Sequence, residues 1–364
     1  MNRSDNLYNN TNIVLPEDKH VDGKTGWTSP SNIALVKYWG KHGNQLPMNP
    51  SISFTLNASL TQTSIIYHSQ FSGDLKVQFF FDGKEEPAFL PKLDNFFGKL
   101  QHIFPFLGQL NIEIHTRNTF PHSAGIASSA SAMSALALCL CDIEDQLFHT
   151  LSDEQEFFRK ASFVARLGSG SAARSLYGGL VNWGESGHLN GSSNHHGTQI
   201  NKIDPVFQSY CDTILIVSSA QKKVSSTVGH GLMNNHPFAR PRFEQAARNH
   251  TELIKVLETG NVDRFVEIVE EEALSLHSMM LTSLPGFILM EPETLRGIEL
   301  IRDYRRSSGI RVCFTLDAGP NIHLLYPEAD KVEVEKFIVG NFNELIEKKN
   351  VIYDRVGKGP QRLN

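Results

Sequence analysis

The chain has 364 residues, with 34 Lys and Arg against 39 Asp and Glu, a formal net charge of -5, 27 glycines and four cysteines. At about 150 residues per domain that length predicts two domains with substantial cores and excludes a small disulfide-stapled module. The balance of 40% apolar and 20% charged residues excludes disorder, collagen and coiled coil, and the small negative charge offers no global field to nucleic acid or anionic lipid.

Residues 1–22 are polar and unpatterned, so they are expected to form a mobile lead that packs little. The lead lacks an apolar stretch of signal-peptide length, and no run reaches the 18 or so apolar residues of a membrane span. Alternation predicts strands at Ile52–Leu56, at 75–81 before the Asp82-Gly83 turn, and at 112–114. Helical spacing runs through Leu93, Phe96, Phe97, Leu100 and Phe104. A Ser/Ala-rich helix follows residue 128, and Ser152 with Gln155 forms a capping box that opens a helix ending at Gly168. The polar loop 185–198 is the clearest break in composition, which places a domain boundary near 205. Beyond it lie a strand at 213–217, helices at 237–258, 261–280 and 292–308, strands at 311–316 and 322–326, a helix at 329–347 and a strand at 351–356. Runs of helices between short strands predict an α+β fold rather than a doubly wound sheet. No C-x-x-C pair is present, and Cys139 and Cys141 sit in an apolar run, so buried thiols and a cytoplasmic location are expected.

Four segments carry polar chemistry. Pro121 to Ala130 (PHSAGIASSA) runs from a loop straight into the small-residue helix. Small side chains there let backbone N–H groups at a helix N-terminus reach a polyanion, although a loop that merely caps a buried helix has the same composition. Gly168 to Ser175 offers two hydroxyls and Arg174, whose fork suits a carboxylate or phosphate; a Gly-Ser-Gly turn with a surface arginine is the plainer alternative. Asn32 to Lys41 (NIALVKYWGK) sets Lys37 and Lys41 four apart, on one face if helical, with a strand or turn equally open. Asp317 emerges where an apolar strand meets a Gly-Pro turn, a place for a proton-accepting carboxylate and equally for a turn cap. His188, His195 and His196 lack metal-ligand spacing, and His230, His236 and His277 have no assigned role.

Taken together, these four ordered segments resemble the mevalonate diphosphate decarboxylase family, within the superfamily of galactokinase, homoserine kinase, mevalonate kinase and phosphomevalonate kinase. The resemblance spans about residues 27–356 and includes Leu46 to Ser53 (LPMNPSIS) and Gly168 to Gly179 (GSGSAARSLYGG). It implies a two-lobed α+β fold, with a ribosomal protein S5 domain 2-like lobe over 23–205 and a ferredoxin-like lobe over 206–364. It also implies ATP and Mg²⁺ as cosubstrates and conversion of diphosphomevalonate to isopentenyl diphosphate, ADP, phosphate and CO₂; a homodimer is expected, and the net charge of -5, with no basic cluster and no apolar span, predicts no nucleic-acid or membrane partner.

By the same resemblance Asp317 lies next to the substrate 3-hydroxyl, Arg174 holds the carboxylate with Asn32 in support, and Lys37 neutralises the transferring phosphoryl group. Tyr38, Lys41, Ser169, Ser171 and Ser226 grip the substrate phosphates, and backbone from Ala124 through Gly125, Ile126 and Ala127 to Ser128, Ser129 and Ala130 cradles ATP. The residue anchoring Mg²⁺ is not identified. Met48, Pro50, His122, Ala173, Thr227 and Thr282 depart from residues frequent in the family. These departures leave Asp317, Lys37 and Arg174 intact and bear on the 5-substituent, so a 5-monophosphate substrate is one alternative; a 3-hydroxy kinase that stops before decarboxylation, which the intact Lys37 and Asp317 argue against, and a noncatalytic ligand-binding member of the fold are the others.

Overall fold

The computed structural model describes residues 7–70, 74–121, 126–218 and 226–363, with backbone only for 226 and 227. It has the expected two-lobed α+β architecture. In the larger sheet Gln361–Arg362, Asp22–Val36, Ser51–Ser69, Leu110–Asn118, Lys76–Phe81 and Lys84–Glu85 lie side by side in that order. Leu180–Trp183 pairs with the first residues of Ser51–Ser69 and carries Gly197–Gln199 on its other edge. Lys76–Phe81 runs parallel to Leu110–Asn118, and the helix Leu90–Leu100 makes the crossover that a parallel pair needs. The second sheet is antiparallel, in the order Cys313–Leu316, Ile322–Tyr326, Cys211–Leu215, Val351–Arg355.

Asp22–Val36, read only in part from the sequence, is buried from Thr25 onward. A strand covered on both faces has no polar alternation to betray it. The helix Glu154–Gly168 is capped by Asp153, whose side chain accepts from the Gln155 and Glu156 N–H groups, and not by Ser152. Either type of side chain caps well, and the one residue later is the one in position. The helix expected at 329–347 is divided into Lys331–Asn341 and Asn343–Glu347, because Phe342 turns inward to a buried, non-helical position.

The lead also needs correction. Over its described part Ile13 and Leu15 are buried in the apolar core of the first lobe with Phe96, Leu100, Leu138 and Val164, and Tyr8 meets Phe163 edge-on at 5.1 Å. Burying an Ile or Leu side chain is worth about 1.5–3 kcal/mol, which holds down an otherwise polar segment. A second apolar cluster joins the lobes: Ile33, Val36, Ile52 and Phe54 of the first sheet pack with Phe207, Ile214, Leu253 and Phe265 of the second lobe. All four cysteines are buried. Among the described residues no helix is long and apolar enough to cross a membrane.

Asp354 fastens the same junction. The pairing of Asp22–Val36 with Ser51–Ser69 shifts register between Pro30 and Asn32. The N–H groups of Asn57, Ala58 and Ser59, opposite the shift, donate to the Asp354 carboxylate at 2.8 Å each, with the Ser59 hydroxyl at 2.7 Å. Asp354→Ala strands these donors in a largely buried place and is expected to cost about 3 kcal/mol, read as a lower urea midpoint at unchanged slope. A loss within the roughly 0.5 kcal/mol of an ordinary surface substitution would contradict the account.

Candidate active site

At Val36 the long first strand ends, and Lys37 to Gly40 turn away without regular structure, Gly40 at φ +87°. Lys41–His42 then pairs with Leu46–Pro47 in a short hairpin, so Lys37 and Lys41 do not share a helical face. They nevertheless line one cavity of about 230 Å³ between the lobes. Asn32, Tyr38, Ile126, Ala127, Ser128, Ser129, Ala130, Ser169, Ser171, Arg174 and Asp317 line it too, so every site residue expected from the sequence whose side chain is described lies there. Ala124, Gly125 and the side chain of Ser226 lie outside the described residues.

Lys37 Nζ donates to Asp317 Oδ1 at 3.1 Å. The lysine side chain is 2% exposed and the aspartate 28%, so the carboxylate is the member of the pair that meets the cavity. Burial lowers the Lys37 pKa, with Asp317 pulling the other way. The Lys37 peptide is held from both lobes: its N–H donates to Glu272 Oε2 at 2.8 Å and its carbonyl accepts from Asn49 Nδ2 at 3.0 Å. Glu272, fully buried, is gripped by both terminal nitrogens of Arg242, at 2.6 and 3.1 Å, and by Asn249 Nδ2 at 2.8 Å. Asp317 follows the strand Cys313–Leu316, and its carbonyl accepts from Gly319 N–H at 2.7 Å and from His277 Nε2 at 3.0 Å. Burial holds the His277 pKa down to about 4, so the ring meets that carbonyl as a neutral donor.

Arg174 sits on the short 3-10 helix Gly170–Leu176 and is 3% exposed. Its Nε donates to Ser53 Oγ at 2.9 Å and Asn32 Oδ1 at 3.3 Å, and its Nη1 to Ser51 Oγ at 2.6 Å. Asn32 is itself oriented by donating to Ser175 Oγ at 2.8 Å and to the Ser171 carbonyl at 3.2 Å. Every partner is neutral, and among the described residues no carboxylate pairs with this guanidinium, although Asp317 is near enough to raise its pKa. Burial is the larger effect and brings that pKa down to about 10. A buried cation held only by neutral groups is costly to keep, and an anionic ligand at its open side offsets that cost.

The helix Ser128–Phe148 begins at the wall of the same cavity. Ala127 precedes it in the left-handed region at φ +42°, with no side-chain cap. The Ala130 N–H donates to the Ala127 carbonyl at 2.7 Å, which leaves the N–H groups and hydroxyls of Ser128 and Ser129 available to phosphate oxygens. A second cavity of about 250 Å³ shares Lys92, Ser128 and Ser129 with the first and is walled by Phe79, Phe81, Phe89, Leu93, Ile114 and Met133. Sequence reasoning missed it, because these residues carry only the periodicity of strand and helix. It also missed His230, His277 and Glu272, which no motif marks. Among the described residues no three His, Cys, Asp or Glu side chains converge on a metal position.

A helix N-terminus and the Lys37–Asp317 pair thus line one cavity between the two lobes of a two-lobed α+β fold. Residues 29–195 match the diphosphomevalonate decarboxylase-like N-terminal domain and residues 213–362 the mevalonate 5-diphosphate decarboxylase C-terminal domain. The chain is 32% identical to a diphosphomevalonate decarboxylase of Aspergillus fumigatus, over 83% of this chain and 76% of that one, and 28% identical to that of Candida albicans, over 93% and 97%. The mevalonate diphosphate decarboxylase structure from Staphylococcus aureus superposes with a TM-score of 0.81 at 26% identity, covering 94% of this chain and 99% of the other. A solved complex of MDDEF with MVAPP, AMPPCP and magnesium gives 0.80 at 25% identity, covering 94% and 100%. The chain belongs to the diphosphomevalonate decarboxylase family.

Proposed function

We propose that the protein uses ATP to decarboxylate (R)-5-diphosphomevalonate, yielding isopentenyl diphosphate, ADP, phosphate and CO₂ in the mevalonate route to isoprenoids. The observation that carries this reading is Arg174, a buried guanidinium without a carboxylate partner among the described residues, beside the Lys37–Asp317 pair in one cavity. A simple hydroxy kinase has no need to hold a substrate carboxylate there.

The chemistry follows from the arrangement. Hydroxide is a poor leaving group from C3, so the tertiary hydroxyl is first phosphorylated. Asp317 orients that hydroxyl and accepts its proton as the oxygen attacks the γ-phosphorus, and ADP leaves. Lys37, beside it, offsets charge on the transferring phosphoryl group. Phosphate then departs from C3 and takes up the proton that Asp317 holds, which restores the Asp317 carboxylate beside the positive character building at C3, and the C–C bond to the substrate carboxylate breaks to supply the electrons of the alkene. Arg174, with Asn32 setting its direction, keeps that carboxylate aligned until CO₂ is released. Tyr38, Lys41, Ser169, Ser171 and Ser226 hold the 5-phosphates, and the backbone from Ala124 to Ala130 with the Ser128 and Ser129 hydroxyls holds the phosphates of ATP. Magnesium, when bound with ATP, offsets the negative charge of those phosphates.

The cavity walled by Phe79, Phe81 and Phe89 accepts the flat base of ATP, since it opens at the same Ser128 and Ser129 that meet the phosphates. Phe89→Ala is therefore expected to raise KM for ATP about tenfold, the effect of one lost stacking contact, with KM for the second substrate unchanged. An unchanged KM for ATP would remove the base from that pocket.

We propose a cytoplasmic homodimer without nucleic-acid or membrane partners. The net charge of -5 supports the absence of a nucleic-acid or anionic-membrane partner, the four buried cysteines support a reducing compartment, and the dimer follows the family resemblance alone. The proposed lobe division at 23–205 and 206–364 is supported by the partition of strands between the two sheets, with Gln361–Arg362 returning to pair with Trp27–Thr28 of the first lobe. Purified protein supplied with Mg-ATP and, separately, mevalonate, its 5-phosphate or its 5-diphosphate is expected to release ADP fastest from the 5-diphosphate. Preference for the 5-phosphate would move the assignment to a phosphomevalonate decarboxylase, and no ADP from any of the three would leave a noncatalytic member of the fold.

A further inference from the structure

His230, which no sequence motif singles out, sits on the short helix Ser226–Gly231 with its ring between two aromatic neighbours that also line the cavity. The ring centres of Tyr38 and Trp39 lie 4.3 and 4.6 Å away, at 38° and 34°. Gly229 lets the helix approach this closely, since a Cβ there would lie 2.5 Å from the Trp39 ring. The Gly40 N–H donates to His230 Nδ1 at 3.0 Å, which leaves the ring proton on Nε2. Burial, with Lys41 and Arg174 nearby, pushes the His230 pKa down to about 3, so the ring is neutral and has one N–H to give. The Tyr38 hydroxyl and the Trp39 Nε1–H on either side are buried, and among the described residues neither has a partner. A buried donor left unmade costs about 1–3 kcal/mol, and an oxygen-rich anion entering the cavity is the ligand that relieves such a set.

We propose that His230 is a specificity-determining contact for the phosphate end of the substrate, its Nε2–H donating to a phosphate oxygen in the cavity that Tyr38 and Trp39 also line. The proposal rests on the reading of this cavity as the site of a phosphorylated hydroxy acid. A neutral donor set by a fixed tautomer selects an acceptor oxygen by position, whereas Lys41, whose Nζ donates to Gln45 Oε1 at 2.7 Å, contributes charge with little direction.

Two substitutions separate contact from packing. His230→Asn keeps an acceptor where Nδ1 meets Gly40 and removes the donor that reaches the cavity, whereas His230→Gln places an amide N–H near the position of Nε2. Binding of inorganic pyrophosphate to the full chain, with the nucleotide site filled by AMPPCP, is measured by calorimetry, alongside KM for the phosphorylated substrate and for ATP. The Asn variant is expected to weaken pyrophosphate binding and raise KM for the phosphorylated substrate by about tenfold, the scale of one hydrogen bond to a charged group, with KM for ATP within about twofold. The Gln variant is expected to recover most of the loss. Unchanged pyrophosphate affinity in the Asn variant, no pyrophosphate binding by the unaltered protein, or a parallel rise in KM for ATP that Gln does not rescue would each overturn the contact. If the unaltered protein binds pyrophosphate, the Asn variant binds it tenfold more weakly and neither turns over any phosphorylated mevalonate, the contact stands and the proposed reaction falls.

Discussion

Asp317→Asn lowers the rates of ADP and CO₂ release together by about 10³-fold, within the range of a positioned acid–base group, and leaves the Kd for ATP within about twofold. The asparagine keeps the shape of the side chain, and the backbone bonds from Gly319 and His277 to the residue 317 carbonyl are untouched. What is lost is negative charge 3.1 Å from Lys37 Nζ and facing the cavity. The substrate hydroxyl then has no acceptor for its proton, Lys37 loses its counter-ion, and the cation that develops at C3 loses a neighbouring anion. The helix proposed to meet ATP, Ser128–Phe148, belongs to the other lobe and does not depend on that charge. Turnover at the unaltered rate, measured with a coupled ADP assay, would remove Asp317 from the chemistry.

Arg174→Gln is the second large effect, an expected loss of about 10²-fold or more in kcat/KM, the scale of a charged hydrogen-bonded pair broken inside a protein. The guanidinium has a double task. It is the cation proposed to meet the substrate carboxylate, and it satisfies the hydroxyls of Ser51 and Ser53 and the carbonyl oxygen of Asn32. Glutamine is too short to do both. Arg174→Lys is expected to fare little better, since an ammonium lacks the planar fork that meets three oxygens in fixed directions. Decarboxylation by Arg174→Gln at unchanged kcat/KM would contradict the role assigned to it, and a urea midpoint measured in parallel separates lost catalysis from lost folding.

The parts of the fold that could be read in advance are those where one face is wet. The helices Val262–Leu281 and Pro292–Ser308 fall within a residue of the spans expected from their apolar spacing. The strand Asp22–Val36 escaped because burial on both sides removes the alternation that announces a strand, and because Ser29, Ser31 and Asn32, polar in composition, are buried all the same. Their side chains are satisfied by partners far away in the chain, Ser29 by Ser134 and Asn32 by Ser175. The lead escaped for the opposite reason: two apolar residues in a polar segment make no pattern, yet Ile13 and Leu15 suffice to seat it.

The same distinction divides the site. Segments whose chemistry is local, such as the small-residue entry to the helix at Ser128 and the acidic turn at Asp317, announced themselves. Residues that act through distant partners did not. Glu272 is 235 positions from the Lys37 N–H it accepts, and His230 is 190 from the Gly40 N–H that sets its tautomer. Nor could spacing reveal that Lys37 and Asp317, 280 positions apart, form an ion pair between the lobes. Folding brings the lobes together through the shared core at Ile33, Phe54, Phe207 and Phe265, and the ion pair lies where the lobes meet.

The central claim is that this one cavity couples phosphoryl transfer to loss of the substrate carboxylate. Its most direct test is the ratio of ADP to CO₂ formed from diphosphomevalonate labelled in the carboxylate carbon, followed through a single turnover with excess protein. The account predicts one labelled CO₂ for each ADP, both abolished in Asp317→Asn; ADP accumulating without labelled CO₂, with the phosphorylated hydroxy acid as the end product, would contradict it.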